Sequence, residues 1–215
     1  MLKTIFFDIG NVLVFFDLSK MQKQIAACTG LSLDTTRKIL IEEGVQKKYE
    51  GGQIDSHAFH QIFQERSSKN FTLNALLEAT SDIFRPNDSL WPIVSALKEA
   101  KLRLIFLSNT SECHFNRLFR IYPIFQTFDD RVLSFEVGAL KPDKQIFIKA
   151  LSKASCDPKE CFYTDDIPEF VKTAKECGLD SEIFTTTQAL QQALLHRGIS
   201  LSGFPPSPMI RANEV

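Results

Sequence analysis

The stretch TIFFDIGNVLVFFD, Thr4 to Asp17, places one aspartate, Asp8, at the end of a short apolar run and follows it with Gly10-Asn11. Thr4 to Asp8 has the length and the aromatic and β-branched content of a strand buried on both faces. A carboxylate at the end of such a strand calls for a chemical reason. Three later runs are of the same kind: RLIFLS (103–108), CFYTD (161–165) and SEIFT (181–185). The segments SLWPIVSALKEA, DKQIFIKALSKA and PEFVKTAKECG precede them, with apolar residues spaced three and four apart as in amphipathic helices. Strands alternating with helices predict an α/β fold built on a doubly wound parallel sheet.

Residues 17–85 break the alternation. LSKMQKQIAACTG, LDTTRKILIEEG, SHAFHQIFQER and TLNALLEATSDIF read as successive helices, where a crossover between parallel strands needs only one. The pattern predicts a Rossmann-like core over residues 1–16 and 86–200 with an α-helical cap inserted at 17–85; an enlarged helical layer on a single core is the alternative. Asp17 is expected to cap the first helix of the insertion, and Phe59 and Phe63 to fill its core. Residues 201–215, which contain GFPPSPMIRANEV, are expected to form an extended tail.

The 215 residues are 44% hydrophobic and 24% charged, enough for a proper core. A formal net charge of −1 without a long basic run leaves no electrostatic footprint for nucleic acid or an anionic membrane. The opening MLKTIFFD has no apolar segment long enough for a signal peptide or a membrane span, so a cytoplasmic protein is expected. Cys28, Cys113, Cys156, Cys161 and Cys177 are odd in number and lack CxxC spacing, as reduced structural thiols would be. His57, His60, His114 and His196 share no ligand-like spacing with acids and are expected at the surface or in packing.

Open parallel sheets bind ligands beyond the carboxyl ends of their strands. Collected there are Asp8, the pair Ser108-Asn109 and the pair Asp165-Asp166, with Lys141 just before a helix in LKPDKQIF. Carboxylates from two strands, a hydroxyl with an amide and a lysine are an inventory for a divalent cation and a phosphate. Each residue also has a plainer reading: Asp8 as a turn former, Asp165-Asp166 as acids at a helix start, Ser108-Asn109 as a strand-to-helix turn, Lys141 as a solvated helix-entry lysine.

Taken in order, FFDIGNVLV, LIFLSNT, LKPDKQIF and CFYTDDIPEFVKTAKECG resemble the four motifs of the haloacid dehalogenase superfamily, and YEGGQIDSHAFHQIF resembles the helical cap of one of its subclasses. The branch most similar contains α-glucose-1-phosphatases and the N-terminal phosphatase domain of soluble epoxide hydrolases. The resemblance implies a Mg²⁺-dependent phosphatase of a small phosphorylated metabolite, a sugar phosphate being one candidate, working through an aspartyl phosphate. It implies Asp8 as nucleophile and metal ligand, the Gly10 carbonyl and Asp166 as further ligands, and Asp165 as support for the metal. Ser108 and the Asn109 amide would bind the phosphoryl oxygens, and Lys141 would neutralise charge shared by Asp8 and the phosphate. The alternatives are a haloacid dehalogenase, which would leave Asp165-Asp166 without a task, and a metal-binding module with little turnover.

Two positions depart from the superfamily's commonest pattern. Gly10 stands where many members carry an aspartate that protonates the leaving oxygen, and Phe170 where the fourth motif often has a further Asp or Asn. The proton donor is then absent, or comes from Asp17, from the cap or from the substrate.

Overall fold

The computed structural model describes residues 1–201. The chain runs through β1 (Thr4–Phe7), β2 (Val14–Phe16), α1 (Leu18–Thr29), α2 (Leu33–Arg37), α3 (Val45–Glu50), α4 (Ser56–Gln64), α5 (Leu73–Ser81), β3 (Phe84–Pro86) and α6 (Trp91–Glu99). It continues through β4 (Arg103–Ser108), α7 (Glu112–Ile121), β5 (Asp130–Leu133), α8 (Ser134–Val137), α9 (Lys144–Lys153), β6 (Cys161–Asp165), α10 (Pro168–Glu176), β7 (Ser181–Ile183) and α11 (Thr187–His196). The stretch expected to form an extended tail lies, from residue 202 on, outside the described residues.

Among the described residues, five parallel strands form one sheet in the order β5-β4-β1-β6-β7. The chain works outward from β1 to β5, then returns to the other side of β1, so the order reverses at the β1–β6 crevice where ligands bind. Alternation along the strands feeds two cores. Ile5, Phe7, Leu104 and Phe106 pack one face against α6, α7 and α11. Phe6, Ile105, Leu107 and Tyr163 pack the other against α9 and α10. No helix among the described residues is long and apolar enough to cross a membrane.

The helices between β2 and β3 have their own core, with Met21, Ile25, Tyr49, Phe59, Phe63 and Leu76 buried together and Cys113 of α7 at its edge. Tyr49 stacks on Phe59 with ring centroids 4.7 Å apart. Asp17 caps α1 as expected, its carboxylate accepting from Lys20 N at 2.8 Å. This helical unit enters and leaves through a two-stranded antiparallel ribbon that pairs Val14 with Pro86 and Phe16 with Phe84.

Several elements differ from the sequence reading. The segment LDTTRKILIEEG is not one α-helix: α2 gives way at Lys38–Glu42 to a π-helical turn that buries Ile39 and Leu40. The edge strand β5 escapes notice because Asp130 and Arg131 interrupt its apolar pattern; Asp130 is tied to Arg103 at 3.2 Å and to Lys153 at 2.9 Å. The ribbon strands are too short for any periodic signal.

Candidate active site

The carboxyl ends of β1, β4 and β6 bring the named residues together. The backbone N–H of Asp8 donates to Thr164 O at 3.1 Å, extending the β1–β6 pairing by one residue and fixing where the carboxylate begins. The chain then turns: Asn11 takes a left-handed conformation at φ 53°, which Asn tolerates better than most residues. Its side chain reaches across to Asp166, Nδ2 donating to Oδ2 at 3.1 Å.

Lys141 is the centre of the site, with its side chain 1% exposed. Its Nζ lies 2.9 Å from Asp8 Oδ1, 2.5 Å from Asp165 Oδ2, 3.0 Å from Leu107 O and 3.1 Å from the Tyr163 hydroxyl. Four oxygens around one ammonium satisfy the demand that a buried charge be paired and hydrogen-bonded. Burial opposes the charge, but Asp8 and Asp165 outweigh it and hold Lys141 above its ordinary pKa. Burial also pushes the Asp8 carboxyl up to about 7, against the pull of Lys141 and with the Asp165 charge adding to the rise.

Asp165 is fully buried and occupied on both oxygens. Oδ1 accepts from Ile167 N at 2.8 Å, closing the turn into α10. Oδ2 accepts from Lys141 and from the Tyr163 hydroxyl. Burial, with Asp165's charge, keeps Tyr163 protonated far above the ordinary phenol range. Asp166 is more open, and burial raises its pKa against the Asn11 hydrogen bond.

Ser108 and Asn109 follow β4. Ser108 is 2% exposed beside Asp8, and the Asn109 side chain turns back to grip the backbone of Lys141 through two hydrogen bonds. Phe170 lies with its ring centroid 5.1 Å from Lys141 Nζ, a cation–π contact that covers the ammonium. At Gly10, an added Cβ would come within 2.8 Å of Phe16 Cε1, so a phenyl ring covers the space where a larger residue would extend.

Asp8, Gly10, Asn11, Ser108, Asn109, Lys141, Asp166 and Phe170 line a cavity of about 240 Å³ that also takes in Phe16, Leu18, Gln46, Glu50, Ile83, Phe84, His114 and Leu118, while Asp165 and Tyr163 lie behind Lys141. Its titratable lining is Asp8, Glu50, His114, Lys141 and Asp166. Asp17 is not part of it. A wider cleft of about 700 Å³ runs between α4, α5 and α7, but its Arg117 and Arg120 are taken up in ion pairs with Glu78 and Asp82.

Asp8, Gly10, Ser108, Asn109, Lys141, Asp165 and Asp166, read as the nucleophile, metal and phosphate residues in the sequence, converge here, whereas Asp17 does not. Tyr163, Phe16, Gln46 and Glu50 were not singled out. Tyr163 had one available signal: two places before Asp165 on the same strand, it shares that residue's face.

A doubly wound sheet carrying a lysine-clasped acidic cluster at its switch point, beneath a helical insertion, defines a class of α/β hydrolases. Residues 2–178 match the model of the haloacid dehalogenase-like hydrolases. The chain belongs to that family and is a hydrolase. It is 24% identical over 189 residues to a D-ribitol-5-phosphate phosphatase of Bacteroides thetaiotaomicron, spanning 84% of this chain and 91% of the relative. A haloacid dehalogenase family enzyme from the same organism, solved with magnesium and inorganic phosphate, superposes with a TM-score of 0.73 at 23% identity, covering 86% of this chain and 95% of that one. A HAD-like family hydrolase of Porphyromonas gingivalis superposes at 0.75 with 20% identity, covering 93% and 99%.

Proposed function

We propose that the protein is a Mg²⁺-dependent phosphatase that moves the phosphoryl group of a small phosphorylated metabolite, of the sugar or polyol phosphate class, to Asp8 and then to water. One observation carries this reading: a fully buried lysine ammonium is held 2.9 Å from a strand-end carboxylate oxygen at the floor of the cavity. Phosphoryl transfer requires such fixed positive charge beside the attacking group.

Lys141 holds Asp8 by Oδ1, so the carboxylate presents a fixed face to phosphorus. Attack breaks the ester bond and gives an aspartyl phosphate, which water hydrolyses. Ser108 and the Asn109 N–H donate to the phosphoryl oxygens, and Lys141 neutralises charge shared by them and Asp8. Residues 17–85 act as the cap, excluding water over the reacting group.

Asp8, Asp165 and Asp166 offer carboxylate oxygens within 4.8 Å of one another, an all-oxygen donor set that suits a hard divalent cation. Since Asp165 is engaged on both oxygens, Asp8, the Gly10 carbonyl and Asp166 are the residues that would hold Mg²⁺, with Asp165 supporting them through Lys141. When bound, Mg²⁺ supplies the charge that lets an anionic ester approach an anionic nucleophile. The activity of the ribitol phosphate relative and the magnesium and phosphate of the Bacteroides enzyme support this reading.

The test is release of inorganic phosphate from a panel of sugar and polyol phosphates, with Mg²⁺ and after chelation, by the protein and by Asp8→Asn. Turnover should need Mg²⁺ and should vanish in the variant, whose amide is nearly isosteric but a poor nucleophile. Metal-independent release, or substantial turnover by purified Asp8→Asn, would overturn the reading.

A further inference from the structure

The departing alcohol needs a proton, and Gly10 has no side chain to give one. Of the titratable groups lining the cavity, four are otherwise engaged. Asp8 attacks, Asp166 accepts from Asn11 and would hold the ion, and Lys141 is surrounded by oxygens. His114 Nε2 donates to Thr80 O at 3.1 Å, and burial drops its pKa to about 4, so the ring is neutral near pH 7. Asp17 is spent capping α1 outside the cavity. Glu50, at the end of α3, remains.

Three features hold Glu50 over the site. Its carbonyl accepts from Ser134 Oγ at 2.6 Å, and that same hydroxyl oxygen accepts from Thr110 N at 2.9 Å, so one serine joins Glu50 to the loop carrying Ser108 and Asn109. Two residues on, Gly52 has φ 68°, and a Cβ there would overlap the Phe135 carbonyl oxygen, so only glycine lets the cap loop come this close to the core. On the preceding turn of α3, Gln46 Nε2 donates to Glu50 Oε1 at 2.8 Å. Gln46 Oε1 is buried and has no hydrogen-bond partner among the described residues. A buried acceptor of that kind calls for a donor, here on an otherwise apolar wall of Phe16, Leu18, Ile83 and Phe84.

We propose that Glu50 is the proton donor to the leaving oxygen, positioned by Gln46, whose own carbonyl oxygen accepts from a hydroxyl of the departing alcohol. The inference rests on the phosphatase reading above. As the Asp8–phosphorus bond forms and the ester P–O bond breaks, the leaving oxygen takes the Glu50 proton and departs as a neutral alcohol. Water then enters the place the alcohol vacated, gives a proton to the Glu50 carboxylate and attacks phosphorus. Asp8 is freed, and Glu50 is protonated again. Burial, which raises the Glu50 pKa against the Gln46 hydrogen bond, suits a group that must begin as the acid.

The experiment compares kcat/KM for an alkyl ester, ribitol 5-phosphate, with that for an aryl ester, p-nitrophenyl phosphate, whose leaving group departs without a proton. Glu50→Gln should lose about 10²- to 10⁴-fold on the alkyl ester, the usual span of general acid catalysis, and far less on the aryl ester. With the aryl ester it should also show a burst of nitrophenol equal to the enzyme, because hydrolysis of the aspartyl phosphate has lost its base. Glu50→Asp should recover part of the alkyl activity, and Gln46→Leu should raise KM for the polyol ester more than for the aryl one. Equal losses on both esters in folded Glu50→Gln, or no loss on either, would overturn the role of Glu50 while leaving the phosphatase reading intact. Failure of the unaltered protein to release phosphate from either ester would overturn both.

Discussion

Asn109 and Lys141 hold each other by a reciprocal pair of hydrogen bonds: Asn109 Nδ2 donates to Lys141 O at 2.9 Å, and Lys141 N donates to Asn109 Oδ1 at 2.7 Å. A side-chain amide thus grips both polar groups of one backbone residue, and the ammonium of that residue sits beside Asp8. The end of β4 and the entry to α9 are locked in register through two residues.

Asn109→Ala removes both bonds while leaving every charge in place. The buried backbone groups of Lys141 lose their partners, a cost of about 1–3 kcal/mol each at most. Displacing a catalytic group by about 1 Å can cost on the order of 10²-fold in rate. The expected result is a fall in kcat of that order with the protein still folded, checked by steady-state kinetics beside urea unfolding.

Lys141→Met should act on stability as strongly as on turnover. It leaves Asp8 and Asp165 as uncompensated buried acids, and breaking such an ion pair from one side costs about 3–5 kcal/mol. Mg²⁺ should restore part of this by bringing charge back beside Asp8. Thermal midpoints with and without Mg²⁺ should therefore lie further apart in Lys141→Met than in the unaltered protein.

Gly10→Asp should lower activity, although it supplies the carboxylate that related phosphatases carry. The new Cβ would meet the Phe16 ring at 2.8 Å, and the added charge would stand close to Asp8. Pairing it with Phe16→Ala removes the steric conflict, so the double variant should outperform Gly10→Asp alone. Rates on an alkyl phosphate decide this, and equal rates for the two variants would contradict it.

His114 should make the fold acid-sensitive. Its folded pKa is lowered to about 4 from an ordinary 6.5, chiefly by burial. The unfolded chain therefore binds the extra proton first, and stability is full above about pH 6.5 and falls as pH drops toward about 4. At about 1.36 kcal/mol per unit the total is about 3 kcal/mol. His114→Gln should flatten this part of the stability profile, read as urea midpoints at pH 7 and pH 4.5.

How far the site could be read from the chain depends on the kind of residue. Asp8, Ser108 and Asp165-Asp166 end apolar strands, where a polar residue is conspicuous, and the switch-point rule gathers them before any coordinates are known. Lys141 lies between strands in an unremarkable turn, and only its motif marks it out. Asn109 is read in the sequence only for its amide toward the phosphoryl oxygens; the grip of its side chain on the Lys141 backbone carries no signal in the chain. Phe16, Gln46 and Glu50 look like ordinary residues of a ribbon and a helix. Their meaning comes from the facing of two folded units, which no local period encodes. β5 was hidden for another reason: Asp130 and Arg131 serve ion pairs at the sheet edge and erase its strand signature.

The ribbon of β2 and β3 makes the helical unit a graft with one covalent seam, while its packed contacts with the core join Glu50 to Ser134, Thr80 to His114 and Glu78 to Arg117. Phe16 and Phe84 are paired partners, so the chain leaves the core and returns to it on neighbouring strands only about 5 Å apart. The core side of the seam is sewn down separately: Asn87 N and Trp91 Nε1 donate to Leu13 O at 3.1 and 2.9 Å, and Asn87 Nδ2 donates to Val12 O at 2.7 Å. A short turn could join the cut ends, but the excision would take the partners of His114 and Arg117 with it. Under the proposed mechanism, exchanging that unit would carry Glu50 away with one wall of the cavity and leave Asp8 and Lys141 behind on the sheet.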